Sequence, residues 1–334
     1  MKTRKALGVV AVGVFALALA ACSNAATGDG ASTSTDAAGS LPASCSEDSP
    51  TIGVALPNTI NPYYIAMQSG FEDHAEELGY KVDVAIANDS ESDQLAQIDA
   101  FVQKGVCAIA LNAVNSDTGV ASVKAANQAG IPVFSVNVTI DPDGLKNQGA
   151  TIVQYVGADQ TTGGKQLGEQ AIKDLGTTDK LVVGILGEPS QIPTNQRDAG
   201  FTEAIKANPN ATVLETLDTN VDPAVSLQVT GELLQGNPDV NVIFGDTGPA
   251  VVGALQAIKE AGKQDSIKVY GFCAADTPLE GEYVACAAQE PYEYAKIVLD
   301  NVQTYLGGED VPAEVLQPLK LYTTGQTVGA KEFG

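Results

Sequence analysis

Residues able to do chemistry are sparse in this 334-residue chain. Its single histidine, His74, excludes any site that needs two, including the HExxH zinc motif. The loop after the first apolar run is "PNTINPYY", with no GxGxxG for a dinucleotide, and no GxSxG elbow occurs. "TTGGKQLG" (161–168) has a Gly-Lys pair without the P-loop spacing, so Lys165 is expected on a solvated helix face. His74 sits among acids in "FEDHAEELG" and is expected at a surface helix position. Carboxylates are plentiful, yet spacing pairs none as acid and base. Catalysis has no positive signal, and no cofactor or metal is expected. Polar residues, mostly neutral amides and hydroxyls, recur instead at the ends of apolar runs: Asn61, Asn112 and Asn137, then Asp246 and Thr247, Cys273, and Gln289. Amides and hydroxyls both donate and accept, which suits a ligand dense in hydroxyls. Beside Asn61 stand Tyr63 and Tyr64, adjacent aromatics in a chain with 10 Tyr, 8 Phe and no Trp.

The elements that must position these residues alternate from residue 50 onward. Apolar runs predict strands at 51–56, 81–86, 106–111, 131–136, 180–186, 212–217, 240–244 and 267–272. Helix-length segments lie between them at about 62–78, 91–104, 116–129, 160–175, 194–207, 223–236 and 248–261. Near-continuous apolar strands such as "CAIAL" and "PVFSV" suit parallel strands covered on both faces. The expected class is doubly wound α/β in two units, each with about four strand–helix repeats. A polar loop (141–150) and a bridging strand (152–158) link the units; a strand at 283–289, a helix at about 291–306 and a last strand near 319–323 end the chain. Several crossings between two lobes would make a hinged cleft. In open parallel sheets ligands bind beyond the carboxyl ends of the strands, where the amides fall.

A formal net charge of −23 disfavours nucleic acid and anionic lipid as partners, because both need a basic face. The N-terminus, "MKTRK" followed by the apolar stretch 6–21, has the form of a secretory signal. It ends in "LAAC" (19–22), which resembles the lipobox of bacterial lipoproteins. That resemblance implies a signal peptide over 1–21 and a diacylated Cys22, holding an exported protein to the outer face of the cell membrane. Residues 22–49 are expected to be a flexible tether. Export leaves Cys45, Cys107, Cys273 and Cys286 in an oxidising compartment, with three pairings, or free thiols, open from the sequence alone.

Taken in order, "NPYYIAMQSGFEDHAEELGYKV", "QKGVCAIALNAVNSDTG", "ANQAGIPVFSVN", "GADQTTGGKQLGE", "RDAGFTEAI", "NPDVNVIFGDTGPAVVGALQAIKEAG" and "VYGF" resemble the ribose-type (type I) periplasmic binding proteins, the sugar receptors of bacterial ABC importers. The resemblance covers about residues 50 to 323. It implies two Rossmann-like lobes joined by a multi-crossing hinge, with 50–157 plus 290–318 in the N-terminal lobe and 158–289 plus 319–334 in the C-terminal lobe. It also implies a non-enzymatic, monomeric capture subunit that delivers a sugar or polyol to a permease, with a sensing module partnering a membrane sensor, or binding of a non-sugar small molecule, as the alternatives.

Carried over residue by residue, the resemblance puts Asn61, Tyr63, Tyr64, Asn112 and Gln289 at ligand contacts. The Asp-Arg pair of many sugar binders is Asn137-Val138 here, and the contacting Arg of the second lobe is Asn195. The later Asn-Asp element is Thr247-Gly248, preceded by Asp246, and the Asp after "GF" is Cys273. Arg197 is expected in a structural ion pair. These changes imply a neutral polyol or modified sugar rather than ribose or a common hexose. The tyrosines are expected to stack on the ligand's C–H face. In the strand order that the resemblance implies, Cys45 lies near Cys107, and Cys273 and Cys286 meet near the hinge.

Overall fold

The strands form where apolar residues run nearly unbroken. In the computed structural model, which describes residues 41–46 and 49–333, those runs become two sheets with helices on both faces. The expected signal peptide, Cys22 and most of the tether lie outside the described residues. The first lobe runs β1 (Thr51–Leu56), α1 (Pro62–Leu78), β2 (Lys81–Ile86), α2 (Glu91–Lys104), β3 (Ala108–Leu111), α3 (Gly119–Gln128), β4 (Val133–Val136), α4 (Pro142–Gln148) and β5 (Gln154–Ala158). Next come α5 (Gln160–Leu175), β6 (Leu181–Gly187), α6 (Ile192–Ile205), β7 (Ala211–Val213), β8 (Leu217–Asp218), α7 (Pro223–Gly236), β9 (Val242–Gly245), α8 (Gly248–Glu260), β10 (Lys268–Phe272) and β11 (Tyr283–Ala288). The chain closes with α9 (Pro291–Leu306), β12 (Glu314–Gln317) and β13 (Lys320–Thr323).

The first sheet has the order β12-β5-β4-β3-β1-β2, with every pairing parallel. The second runs β13-β11-β10-β9-β6-β7, with β8 also on β6; only β13 is antiparallel. Alternate side chains of β1 feed opposite cores. Ile52, Val54 and Leu56 pack with Met67 and Phe71 of α1 and Tyr294 and Val298 of α9, whereas Ala55 joins Phe101 and Val120. The chain passes between sheets three times: from β5 to α5, from β11 to α9 and from β12 to β13. Helix ends follow their caps: α1 starts on Asn61, whose side chain accepts from the Tyr63 amide, and stops at Gly79 with φ 74°.

Several expectations are corrected. The supposed loop 141–150 contains α4, because the Asp141 carboxylate accepts from the Asp143 and Gly144 amides (3.2 and 2.8 Å) and Pro142 begins the turn. The strand expected at 212–217 splits into β7 and β8, both pairing with β6. Strand β12, an edge strand with half its residues exposed, carries too weak an apolar pattern to be expected. His74 does lie at a surface position of α1, and its side chain, 11% exposed, bridges α1 to α9 through Asp300 (2.6 Å), with Glu77 at 2.7 Å. Lys165, by contrast, is 57% exposed. Cys45 is paired with Cys107 and Cys273 with Cys286, with Cα separations of 5.0 and 4.9 Å. Among the described residues no helix is long and apolar enough to cross a membrane.

Candidate functional site

The carboxyl ends of the two sheets face each other and enclose a polar cavity. The first lobe lines it with Asn61, Tyr63, Tyr64 and Asn137; the second supplies Gln191, Thr194, Arg197 and Thr247, with Pro193 and Val221. Gln289, at the crossing from β11 to α9, closes the floor. The lobes are closed, leaving about 20 Å³ of free volume. That is room for about one water, so a monosaccharide enters only if the lobes part. Larger concavities exist, but none is lined by Arg197 or the tyrosine pair. A groove of about 760 Å³ lies on the second lobe alone, between α7, α8 and the loop 277–283.

Each wall is built by local rules. Tyr63 and Tyr64 occupy the first turn of α1, and their rings meet edge to face with centroids 5.6 Å apart. They are 2% and 4% exposed. The Tyr63 hydroxyl donates to Asn137 Oδ1 (2.9 Å), while the Tyr155 hydroxyl donates to the Asn137 carbonyl (2.9 Å). Asn137 takes a left-handed φ of 63°, which an Asn tolerates better than a branched residue. That turn carries its side chain back over the β-strand ends. Burial raises both tyrosine pKa values, so the phenols are neutral donors at any physiological pH.

The second lobe contributes a buried cation. Arg197 is 3% exposed and lies 3.8 Å over the Phe272 ring. Its Nε donates to Gln160 Oε1 (2.8 Å) and its Nη1 to the Asp246 carbonyl (2.6 Å). Gln160 in turn donates from Nε2 to Gln289 Oε1 (2.9 Å), which joins the guanidinium to the hinge. The expected ion pair is therefore corrected: both hydrogen-bond partners of Arg197 are neutral oxygens, and its guanidinium reaches the cavity wall. Burial lowers its pKa from the usual arginine value, and neighbouring Asp246 opposes that shift.

Four of the expected contacts stand off the cavity. Asn112 is buried behind Asn137, accepting from its Nδ2 at 3.4 Å and facing Met67 Sδ. Asn195 is exposed and donates to the Pro189 carbonyl (2.9 Å), because it lies two residues from Arg197 on α6 and so on the opposite face. Asp246 is fully buried, accepting from the Glu188 amide (3.1 Å). Cys273 is tied to Cys286 and lines a separate apolar pocket of about 190 Å³ with Ile60, Pro249 and Val252. Sequence reasoning missed Gln160, Gln191, Thr194 and the cavity-facing role of Arg197. The available signal was helical phase: Thr194 and Arg197 are three apart and share the buried face of α6 with Phe201.

The periplasmic binding protein domain matches residues 52–310. The ribose import binding protein RbsB of Bacillus subtilis (strain 168) is 30% identical over 277 residues, spanning 82% of this chain and 87% of that protein. A D-apiose import binding protein of Actinobacillus succinogenes is 27% identical over 264 residues, or 78% and 83% of the two chains. Among solved structures, an ABC transporter periplasmic solute binding protein of Actinobacillus succinogenes with bound D-allose superposes with a TM-score of 0.74 at 23% identity, covering 82% of this chain and 97% of that one. The match over most of the chain and the two facing parallel sheets agree, and the chain belongs to the periplasmic binding protein family.

Proposed function

We propose that the protein is the extracytoplasmic receptor of an ABC importer, closing its lobes over a small neutral polyhydroxylated ligand such as a sugar, polyol or modified sugar. The observation that carries this reading is the composition of the cavity wall. Two aromatic rings, four amides, two threonine hydroxyls and one guanidinium converge from both lobes, with no carboxylate among them. Amides and hydroxyls exchange hydrogen bonds with ligand hydroxyls, Arg197 donates to their oxygens, and a tyrosine face takes the C–H side of a ring. The relatives named for import of ribose and D-apiose support this class of ligand. A ligand that favours the closed arrangement shifts the open–closed equilibrium, and no covalent chemistry is required.

Under this proposal the direct contacts are Asn61, Tyr63, Tyr64, Asn137, Gln191, Thr194, Arg197, Thr247 and Gln289, while Asn112 and Asp246 support them from behind. The lobes divide at 157/158, 289/290 and 318/319, and lipidation of Cys22 anchors the protein outside the cell. Thermal unfolding against a panel of pentoses, hexoses, polyols and amino acids tests the ligand class. A cognate ligand at ~100 Kd should add roughly 2.7 kcal/mol of stability. Stabilisation by amino acids alone would overturn the sugar reading.

A further inference from the structure

The two lobes touch through protein groups that need no ligand. Ser116 follows β3 in the first lobe, and α6 begins the facing wall of the second. The N-cap residue of α6, Gln191, makes no side-chain cap bond of its own. Instead the Ile192 amide donates to Ser116 Oγ across the cleft (2.9 Å). The Ser116 amide donates back to the Ser190 carbonyl (3.1 Å), and Gln191 Nε2 donates to the Val114 carbonyl (3.2 Å). Ser116 is fully buried by this contact.

Both halves are held in place within their own lobes. On the first lobe, Gln94 accepts from the Val114 amide and donates to the Asn112 carbonyl (both 3.0 Å), and the Ser116 carbonyl accepts from the Asp141 amide (3.0 Å). On the second, Thr194 Oγ1 donates to the Glu188 carbonyl (2.6 Å) and the Ser190 amide donates to Glu188 Oε1 (3.2 Å). Neither loop has to reorganise to make the cross-cleft bonds, so their formation costs little conformational entropy.

We infer that Ser116 is an interlobe latch, capping helix α6 from the opposite lobe so that closure itself completes the helix terminus. When the lobes part, the Ile192 amide returns to water; when they meet, the serine hydroxyl takes it. The latch biases the protein toward closure independently of what occupies the cavity, and thereby lengthens ligand residence. Ser116 and Ile192 lie outside the residues that line the cavity.

Amide hydrogen exchange on the ligand-free full chain tests this without a ligand and independently of the sugar reading. In the wild-type protein the Ile192 amide should be protected. In Ser116→Ala, exchange at Ile192 and at the amide of position 116 should accelerate together, roughly five- to tenfold for the loss of a helix cap. The core amide of Ile243 in β9 should not change, and Ser116→Thr should restore protection. Should Ser116→Ala loosen the whole fold, the ratio of Ile192 to Ile243 exchange carries the comparison. An unprotected Ile192 in the wild type would overturn the inference. Acceleration at Ile192 alone would also overturn it, since that outcome means a local bond that does not hold the lobes.

Discussion

Asp198 and Asp246 turn their carboxyl groups toward the same small space, the one left by the missing side chain of Gly187. A Cβ at Gly187 would lie 2.9 Å from Asp198 Oδ2 and 3.1 Å from Asp246 Oδ2. The second oxygen of each acid is buried without a hydrogen-bond partner. Two carboxylates in one dry site cannot both be ionised cheaply. Burial pushes Asp198 up to about 7, against the pull of Thr216 and Arg197, and it raises Asp246 as well, with Asp198 adding to that rise. The folded protein thus holds protons that the unfolded chain, with an aspartate pKa of about 3.9, releases. Stability from this pair is full below about pH 4 and is lost as pH rises toward 7. Asp198→Asn should flatten that slope and become the more stable protein above pH 7, as read by urea unfolding from pH 5 to 8. Parallel curves for the two proteins would show that the pair is not protonated.

The tyrosine pair divides into two roles. Tyr63 is held in the core by its bond to Asn137, so its truncation would create a cavity and cost about 3–5 kcal/mol of stability. The informative change is Tyr63→Phe, which keeps the ring and should cost about 1 kcal/mol of stability by leaving Asn137 short of a donor. Tyr64 makes no side-chain hydrogen bond among the described residues and shares the cavity wall. Tyr64→Ala should weaken binding of whichever sugar or polyol stabilises the wild type by tenfold or more, read by calorimetric titration. Unchanged affinity in a folded Tyr64→Ala protein would remove the stacking role.

Arg197 organises the second lobe's wall. Its replacement by Met keeps the stem over Phe272 but leaves Gln160 Oε1 and the Asp246 carbonyl without donors. Leaving such buried acceptors unpaired costs about 1–3 kcal/mol each. Arg197→Met should therefore lower the unfolding temperature and abolish binding, whereas Asn195→Ala, on the exposed face of the same helix, should alter neither. An Asn195 variant with lost binding would reverse this assignment of the α6 faces.

These contrasts follow from what was legible in the chain. The strand ends were readable because β3 and β4 are buried on both faces and therefore continuously apolar, so the position of Asn112 and Asn137 beyond them followed directly. Depth was not readable. Asn112 and Asn137 end adjacent strands, yet only the left-handed turn at Asn137 brings its side chain into the cavity while Asn112 stays behind. The helix-borne groups were hidden for another reason. Whether Gln191, Thr194 or Arg197 reaches the ligand depends on helical phase and on lobe closure, a contact between segments far apart in sequence. Short elements were the remaining gap: α4 rests on its caps and β12 on an edge pairing with β5, and neither needs a strong apolar pattern.

His74 offers a pH test in a separate window. Its ring nitrogens face Asp300 and Glu77, and those hydrogen bonds raise its pKa above the usual 6.5 even though burial, the largest single influence, acts the other way. The folded state therefore binds the proton more tightly than the unfolded chain does. Stability from the α1–α9 bridge should be fully present below about pH 6.5 and disappear as pH climbs through the raised value. His74→Gln cannot be charged. It should be less stable than the wild type at pH 6, with the gap narrowing by pH 8.5, as measured by thermal unfolding in low salt. Because both carboxylates are largely exposed, 0.5 M salt should shrink the gap. A gap that stayed constant across this range would assign His74 a packing role rather than a charged one.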